Sequence, residues 1–293
     1  MRKVNAAAMG KLVVVVVVVV FIGALLSVAA GQEFKCGNLE ERLLFQKDEE
    51  STEPAENPWM GILYQLKGHL FENTRCSVVI VSETHVLTTA KCVRRFNDRP
   101  ELAAVRLGIW NETHTVGEEY ICNVKGFCVP GPVQHSVSAI KVLPQADKDT
   151  GDNDLALLKL TDRIKYTAYK QPLCLQPNVE LKSMIGHNFH FTGFEHSHYS
   201  KGKGTAYTLS REYCTELSKA SSPRPENQFC GYPTKRTKFY EGAAMMGMNV
   251  VNGVPRSYYL AGLLSEVVVQ GSTTVFGFQD VRPWRSWLIE NSR

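Results

Sequence analysis

After its first 26 residues, this 293-residue sequence has no long apolar run. Every later apolar stretch is shorter than the ~20 residues that a helix needs to cross a bilayer. A strong excess of charge is also missing, because 33 lysines and arginines face 29 aspartates and glutamates and leave a net charge of +4. The sequence therefore predicts no later membrane span and gives no electrostatic reason to expect a nucleic-acid partner.

Clusters of metal-ligating residues are scarce as well. The densest group of histidines, in the stretch HNFHFTGFEHSHYS, includes an H-x-H spacing that would suit zinc. Solvated loop histidines are the simpler interpretation, so we expect no metal and no cofactor. The basic run TKRTKF is open to two interpretations, either a solvated loop or a contact for an anionic partner such as a polysaccharide.

The first 31 residues have the pattern of a secretory signal peptide. Arg2 and Lys3 supply the positive start, Leu12–Leu26 supplies the apolar core, and the small residues of SVAAGQ supply a cleavage site. A signal anchor that stays in the membrane is the alternative, but the apolar core is short for a span. We expect residues 1–31 to be removed and the rest to be secreted, with no membrane contact after cleavage.

From residue 32 onward, the sequence divides into a polar arm and a β-rich body. Residues 32–57 include QKDEESTEPAEN, which has no apolar periodicity and predicts an exposed arm. From residue 58, short β-prone runs alternate with turn residues, as in an all-β barrel or sandwich. The only convincing helix is the C-terminal VRPWRSWLIENSR, where Trp284, Trp287 and Leu288 share one face.

All eight cysteines lie after residue 31, and an even number in an exported chain predicts four disulfides. A zinc site would require tighter clustering of cysteine with histidine. The sequence has one N-glycosylation motif, NET at Asn111. We expect it to carry a glycan, because the chain is predicted to be exported and the motif follows a strand.

Seven stretches, taken in order, resemble the trypsin/chymotrypsin family of serine proteases. More narrowly, they resemble the arthropod clip-type proteases and their non-catalytic homologues. No single stretch is decisive, but the ordered set, from about Trp59 to Leu288, is highly specific. The stretches are NPWM, CSVVIVSETHVLTTAKC, VRLGIWNET, DNDLALLKL, QPLCL, YYLAGLLSE and VFGFQDVRPWRSWL.

The resemblance implies an all-β fold of two six-stranded antiparallel β-barrels with a C-terminal α-helix. It implies a trypsin-like domain at 58–293, with barrels at about 58–165 and 166–293. The family's pair beside the specificity pocket is missing, since Tyr240 replaces its first cysteine and no cysteine follows Cys230. The implied disulfides are Cys36–Cys174, Cys76–Cys92, Cys122–Cys128 and Cys214–Cys230.

The catalytic triad of this family needs a histidine base, an aspartate that orients it and a serine nucleophile. The resemblance maps only the aspartate onto a retained residue, Asp154. Lys91 stands where the histidine belongs, and a lysine with a reference pKa of about 10.4 is already protonated and cannot act as the base. Ala244 stands where the serine belongs and has no group that attacks a carbonyl. We expect Lys91 to form an ion pair with Asp154, with Ala244 nearby.

The same resemblance implies that activation and the oxyanion hole are lost. The motif keeps Gly242, but Ala243 replaces the aspartate that pairs with a new N-terminus in the family. Met245 and Met246 replace two glycines and are expected to crowd the oxyanion hole. Arg42 is a candidate cleavage site in the arm, although cleavage there should not switch on catalysis.

The specificity pocket has changed too. Lys238 maps to the base of the pocket, where trypsin-like members carry aspartate. Ser265 maps to the start of the strand segment that aligns substrates. A basic substrate side chain would therefore meet a positive charge.

Two functions remain open from the sequence. The first is a secreted, catalytically inactive homologue that acts as a binding partner or cofactor in an extracellular protease cascade, by resemblance that of arthropod innate immunity and melanisation. Its partners would be other proteases, zymogens or microbial surfaces. The alternative is an active secreted serine endopeptidase, which the fold-level resemblance alone would favour. An unconventional Ser–Lys dyad that uses Lys91 would still require a serine at position 244.

Overall fold

Six strands from the first half of the chain close into a barrel in the computed structural model. The first half contains β1 (Met60–Lys67), β2 (Leu70–Ile80), β3 (His85–Thr88), β4 (Ala103–Leu107), β5 (Tyr120–Cys122), β6 (Cys128–Pro130), β7 (Val133–Val142) and β8 (Ala156–Leu160). The barrel has the order β1–β2–β3–β8–β7–β4, and β5 and β6 form a separate hairpin. All of these pairs are antiparallel.

The structure describes residues 36–44, 52–114, 116–122, 126, 128–177, 183–219, 224–234 and 238–293. The predicted signal peptide, residues 1–31, lies outside these residues, as does part of the predicted arm, 32–57. Within the described ranges, no helix is both long enough and apolar enough to cross a membrane.

The second half of the chain forms a seven-stranded sheet. Its strands are β9 (Cys174–Leu175), β10 (Asn188–Phe194), β11 (Lys201–Leu209), β12 (Gln228–Pro233), β13 (Ala244–Val251), β14 (Val254–Gln270) and β15 (Thr273–Asp280). The order is β13–β10–β11–β12–β15–β14–β9, and β13 also pairs with β14. That additional pairing joins six of the strands into a closed ring, and β9 adds to β14 in parallel. The prediction of an all-β, two-barrel fold is confirmed.

The helices are short and lie between or after the strands. They are α1 (Glu41–Leu44), α2 (Ala90–Val93), α3 (Arg211–Ser218) and α4 (Arg285–Asn291), with 3-10 turns at Arg94–Phe96, Pro100–Leu102 and Arg282–Trp284. The predicted C-terminal helix is confirmed, and Leu288 is its buried anchor. The sequence did not predict α3, because only two of its residues, Cys214 and Ser218, are buried and most of its residues are polar.

Two large hydrophobic cores sit inside these strands, and a small third cluster surrounds Cys214, Cys230 and Val275. The first is built around Trp59 and aliphatic residues of the first barrel, and it extends to Ala244 and Leu263 of the second half. The second is rich in aromatic rings, including Phe191, Phe239 and Phe276. Burial of apolar surface stabilises the folded state by about 25 cal/mol per Å². The cores therefore hold together the strands whose loops carry the site.

A bulge in β2 interrupts the first barrel. The register between β1 and β2 shifts after Leu63, which pairs with Cys76, whereas the next residue pairs with Asn73. Thr74 and Arg75 are therefore the extra residues, and Arg75 has a φ of +62°. Bulges of this kind increase local twist and redirect a side chain.

Four disulfides connect the described residues, and no described cysteine is free. The pairs are Cys36–Cys174, Cys76–Cys92, Cys122–Cys128 and Cys214–Cys230, the same four that the resemblance implies. The first ties the segment before α1 to β9, and the second ties α2 to β2. The site is therefore held by covalent links as well as by packing.

Candidate functional site

Lys91 is placed by a capped helix that follows β3 directly. Thr89 is the N-cap of α2, and its hydroxyl oxygen accepts a hydrogen bond from the backbone N–H of Cys92 at 3.3 Å. The same hydroxyl donates to Glu241 Oε1 at 2.7 Å, which joins the two halves of the chain. Threonine is a favourable N-cap residue, so the sequence TTAKC fixes the start of α2 and with it the backbone position of Lys91.

The ion pair made by Lys91 differs from the prediction. Its Nζ lies 3.0 Å from Glu241 Oε2, and the side chain is 54% exposed. Among the described residues, no ion pair joins Lys91 to Asp154, so the predicted pair is wrong. Asp154 instead accepts a hydrogen bond from the backbone N–H of Lys91, at 2.8 Å to Oδ1. An ammonium on a flexible stem stays near water when a carboxylate is available there, because burial of its charge is costly.

Asp154 is a buried carboxylate, and no described cationic side chain lies within ion-pair distance of it. It is 3% exposed, and its backbone N–H donates to Gln279 Oε1 at 3.1 Å. Burial raises its pKa to about 6, opposed by the hydrogen bond from the Lys91 N–H and reinforced by the charge of Glu241. Its oxygen thus supports the backbone at the start of α2 instead of orienting a base.

Replacing Asp154 by asparagine is expected to raise the free energy of unfolding at pH 7 by about 1–3 kcal/mol. The folded-state pKa of Asp154, about 6, exceeds the ordinary aspartate pKa of 3.8. Its contribution is therefore fully present below pH ~4 and is lost as pH rises through 6. Asparagine keeps an acceptor for the Lys91 N–H but cannot ionise, so this pH dependence should disappear. Urea unfolding between pH 4 and 8 measures both effects.

The matched control for that variant is the exposed Asp98→Asn, which should change the pH profile of stability far less than Asp154→Asn does. A loss of stability in Asp154→Asn that grows as pH rises from 4 to 8 would show that the ionised carboxylate stabilises the fold, contrary to the expectation.

Ala244 is the first residue of β13 and is fully buried. It pairs with Thr192 of β10 on one side and with Leu263 of β14 on the other. The position that would carry a nucleophile is therefore an internal residue of the sheet. The next two residues are apolar and also buried. Met245 lies in the aromatic-rich core and Met246 in the core around Trp59.

The turn before Ala244 requires glycine. Gly242 has a φ of +84°, and a Cβ there would lie 2.3 Å from the carbonyl oxygen of Ser77. Its backbone N–H donates to the carbonyl oxygen of Leu264 at 2.7 Å. That donor is occupied within the fold, so it is not available to an oxyanion.

Glu241 was not singled out from the sequence. It links the halves of the site, because its carbonyl oxygen accepts from the N–H of Ser77 at 2.6 Å and its carboxylate holds Lys91 and Thr89. The only signal for it was an acidic residue directly before Gly242, opposite a substituted lysine. The structure thus brings Lys91, Asp154 and the Glu241–Ala244 segment close together, as predicted. The ion-pair partner of Lys91 is Glu241 instead of Asp154.

A cavity of about 410 Å³ opens beside Lys91. Lys238, predicted at the base of the specificity pocket, lines this cavity with an exposed side chain, and its backbone carbonyl accepts a hydrogen bond from the N–H of His196 at 3.0 Å. Ser265 also lines the cavity, and its hydroxyl donates to the carbonyl oxygen of Gly277 at 3.1 Å. The lining residues are Thr74, Arg75, Cys76, Lys91, Arg95, His196, Lys238, Phe239, Glu241, Leu264, Ser265, Glu266 and Val267.

No hydroxyl that lines this cavity is poised as a nucleophile. Thr74 and Ser265 are the two hydroxyl residues of the lining, and each donates to a backbone carbonyl, Thr74 to Leu63 at 2.6 Å. Cys76 is in a disulfide. His196 contacts the guanidinium of Arg75 at 3.4 Å rather than a hydroxyl, and burial lowers its pKa. A nucleophile paired with a base, which acyl transfer of this type needs, is absent from the described lining.

The candidate cleavage site lies in α1. Arg42 is exposed, and its guanidinium makes two 2.6 Å contacts with the carboxylate of Glu53 and a 3.0 Å contact with Glu40. The bond after Arg42 is accessible at the surface, but a helical turn and these ion pairs hold it. Whether it is cut stays a prediction.

The remaining predicted sites are placed as follows. Asn111 is partly exposed in the segment after β4, and its Oδ1 accepts from the N–H and the hydroxyl of Thr113 at 2.9 and 2.8 Å. Glycosylation there stays a prediction. Among the described residues, no group of three or more histidine, cysteine or acidic side chains could hold a metal ion. Part of the basic run, residues 235–237, lies outside the described residues.

The fold and the site together define a two-barrel protein of serine-protease architecture. The crystal structure of the Drosophila Grass clip serine protease matches it with a TM-score of 0.72 and 21% identity, covering 90% of this chain and 76% of that one. The trypsin family model matches residues 47–242. The chain belongs to the trypsin family, which confirms the resemblance predicted from its motifs.

Curated relatives are insect proteins of the same kind. The chain is 25% identical to phenoloxidase-activating factor 1 of Holotrichia diomphalia over 256 residues, covering 83% of the chain and 69% of that protein. It is 30% identical to phenoloxidase-activating factor 3 of the same species over 150 residues, covering 50% and 41%. Melanization protease 1 of Drosophila melanogaster is 32% identical over 130 residues, covering 42% and 32%. The chain therefore spans less than half the length of the last two relatives.

Proposed function

We propose that this chain is a secreted, catalytically inactive member of the trypsin family that acts by binding within an extracellular protease cascade. The observation that carries the proposal is Ala244, a buried strand residue where the family places its nucleophile. Lys91, in the place of the base, is engaged with Glu241. The proposed organisation is a signal peptide at 1–31, an arm at 32–57 and a trypsin-like domain at 58–293.

The names of the relatives support a cascade of the melanisation type. Two are phenoloxidase-activating factors and one is a melanization protease. By that similarity we propose an innate-immune, melanisation-type cascade, with proteases, zymogens or microbial surfaces as partners. A rigid pair of barrels that presents loops around an unreactive cleft suits such a binding role.

A fluorophosphonate probe is expected to leave the secreted chain unlabelled, before and after cleavage following Arg42. The physical reason is that no described side chain lining the cavity is a nucleophile next to a base. Mass spectrometry of the intact protein measures the labelling, with active trypsin as the positive control. Stoichiometric labelling of the chain would refute the proposal and favour the endopeptidase.

Restoring the two lost side chains sharpens this test. The double variant Lys91→His with Ala244→Ser is expected to label at least ~100-fold more slowly than trypsin, because the Gly242 N–H is bonded to Leu264 and one oxyanion donor is worth about that much. Rapid labelling of the double variant would mean that the side chains at positions 91 and 244 alone account for the lack of reactivity, and that the backbone of the Gly242 turn does not contribute to it.

A further inference from the structure

The cavity beside Lys91 carries more positive charge than its own carboxylates neutralise. Glu241 is engaged by Lys91 at 3.0 Å. Glu266 pairs with the guanidinium of Arg224, which lies outside the lining. Among the described residues, the other lining cations have no carboxylate within ion-pair distance; these are Arg75, Arg95 and Lys238.

Backbone geometry directs one of these cations. Arg75 is in the bulge of β2 with a φ of +62°, a conformation that non-glycine residues seldom adopt. Asn73 Oδ1 accepts from the Arg75 N–H at 2.7 Å, and the guanidinium lies 5.6 Å from the ring centroid of Tyr240. Strained backbone of this kind persists where surrounding contacts hold it, and it is concentrated at binding sites. Arg75 is therefore held at the cavity wall.

The rest of the cavity suits an extended polypeptide. Phe239, Leu264 and Val267 give it an apolar wall beside the cations. From Val267 to Gln270, β14 pairs with β15 on one side, and no described strand pairs with its other side. An open strand edge offers N–H and C=O groups to an incoming extended segment.

We propose that this cavity binds an acidic side chain of an extended segment from a partner protein. The carboxylate accepts hydrogen bonds from Arg75 and Lys238, and the aliphatic part of that side chain packs on the apolar wall. A sulfated polysaccharide would meet the same cations but has no use for the apolar wall or the strand edge. This inference rests on the proposed binding role and adds the chemistry of the partner.

The test is fluorescence anisotropy of the full secreted chain with a fluorescein-labelled extended peptide that carries two glutamates. A second peptide, with glutamines in their place, is the reference. We expect the glutamate peptide to bind about tenfold more tightly, with an affinity that falls as salt is raised. Arg75→Gln and Lys238→Gln should each weaken it by about threefold to tenfold. Lys67→Gln, an equal change of charge at an exposed ion pair outside the cavity lining, should change it by less than about twofold.

Equal affinity for the two peptides would overturn the inference, as would an equal loss in all three variants. Lys238→Gln keeps the test valid if Arg75→Gln disturbs the bulge, because Lys238 is exposed and outside any strand. Binding of a heparin-derived oligosaccharide that depends on Arg75 and Lys238, without binding of the glutamate peptide, would assign the site to a polysaccharide instead. Fluorophosphonate labelling is read separately, so a failure of the proposed inactivity and a failure of this charge preference give different results.

Discussion

Replacing both Cys36 and Cys174 by serine is expected to lower the free energy of unfolding by about 5 kcal/mol. These cysteines are 138 residues apart, so their bond closes a long loop and limits the unfolded ensemble. The arm is also packed where the bond starts, because the Gly37 N–H donates to Pro172 and its carbonyl accepts from Tyr258, both at 2.8 Å. The same loss should appear in urea unfolding and in a lower melting temperature.

The control is the paired serine substitution of Cys122 and Cys128, which are only six residues apart. Loop entropy then predicts a loss of about 2 kcal/mol. That pair joins the two strands of the small β5–β6 hairpin, outside the barrel, so it also touches little of the core. Equal losses from the two double variants would contradict the loop-length argument and would mean that local contacts at each bond decide its effect.

The sequence predicted the fold well because its signals were redundant. Seven stretches in family order, four disulfide pairs and a terminal amphipathic turn all indicated the same two-barrel architecture. The helix Arg211–Ser218 was missed, because its start depends on a single hydrogen bond from the Tyr213 N–H to the hydroxyl oxygen of Ser210 at 3.2 Å. A cap of that kind without an apolar stripe leaves little trace in a sequence.

The site was predicted in position but not in its contacts. A motif placed Lys91, Asp154 and Ala244 near one another, since those positions are fixed by the strands that carry them. A motif does not predict which carboxylate a lysine side chain contacts. For Lys91 this depends on whether water and Glu241 stabilise the ammonium better than the buried carboxylate of Asp154 does. Lys238 lines the cavity with an exposed side chain, and a motif alone does not give that exposure.

The retained aspartate, Asp154, makes contacts that differ from those of an aspartate that orients a histidine base. In an active site of this family, Asp154 would orient a base. Here it accepts a hydrogen bond from the backbone N–H of Lys91, whose side chain is paired with Glu241. Asp154, Lys91 and Glu241 therefore connect the two halves of the chain through hydrogen bonds and an ion pair.

Replacing Lys201 by methionine is expected to remove a rise of stability between pH 7 and pH 10. Lys201 is 2% exposed, and its Nζ donates to two carbonyl oxygens among the described residues, of Pro54 at 3.4 Å and of Asn57 at 3.3 Å. Burial lowers its pKa to about 7, opposed by the charge of Glu56. That carboxylate is already held by Lys203 at 2.9 Å.

Stability rises with pH in this range because the folded and unfolded states bind different numbers of protons at Lys201. The unfolded lysine keeps its proton up to the ordinary lysine pKa of 10.5, whereas the folded one loses it above about 7. Between those values the unfolded state binds more protons, so stability increases with pH, by at most ~1.4 kcal/mol per pH unit. Thermal and urea unfolding of the wild type and of Lys201→Met, measured from pH 6 to pH 10, give the difference between the two profiles.

Lys203→Met is the matched control, because it removes a neighbouring lysine that does have a partner. Its side chain and that of Glu56 are 14% and 9% exposed, so its loss leaves a nearly buried carboxylate unpaired and should cost about 3–5 kcal/mol at neutral pH. Lys201→Met should instead be most favourable, relative to the wild type, at the acidic end of the range. Parallel pH profiles for the wild type and Lys201→Met would mean that the amine at position 201 keeps its proton in the fold. Its two carbonyl contacts would then be strong enough to replace water around a full positive charge.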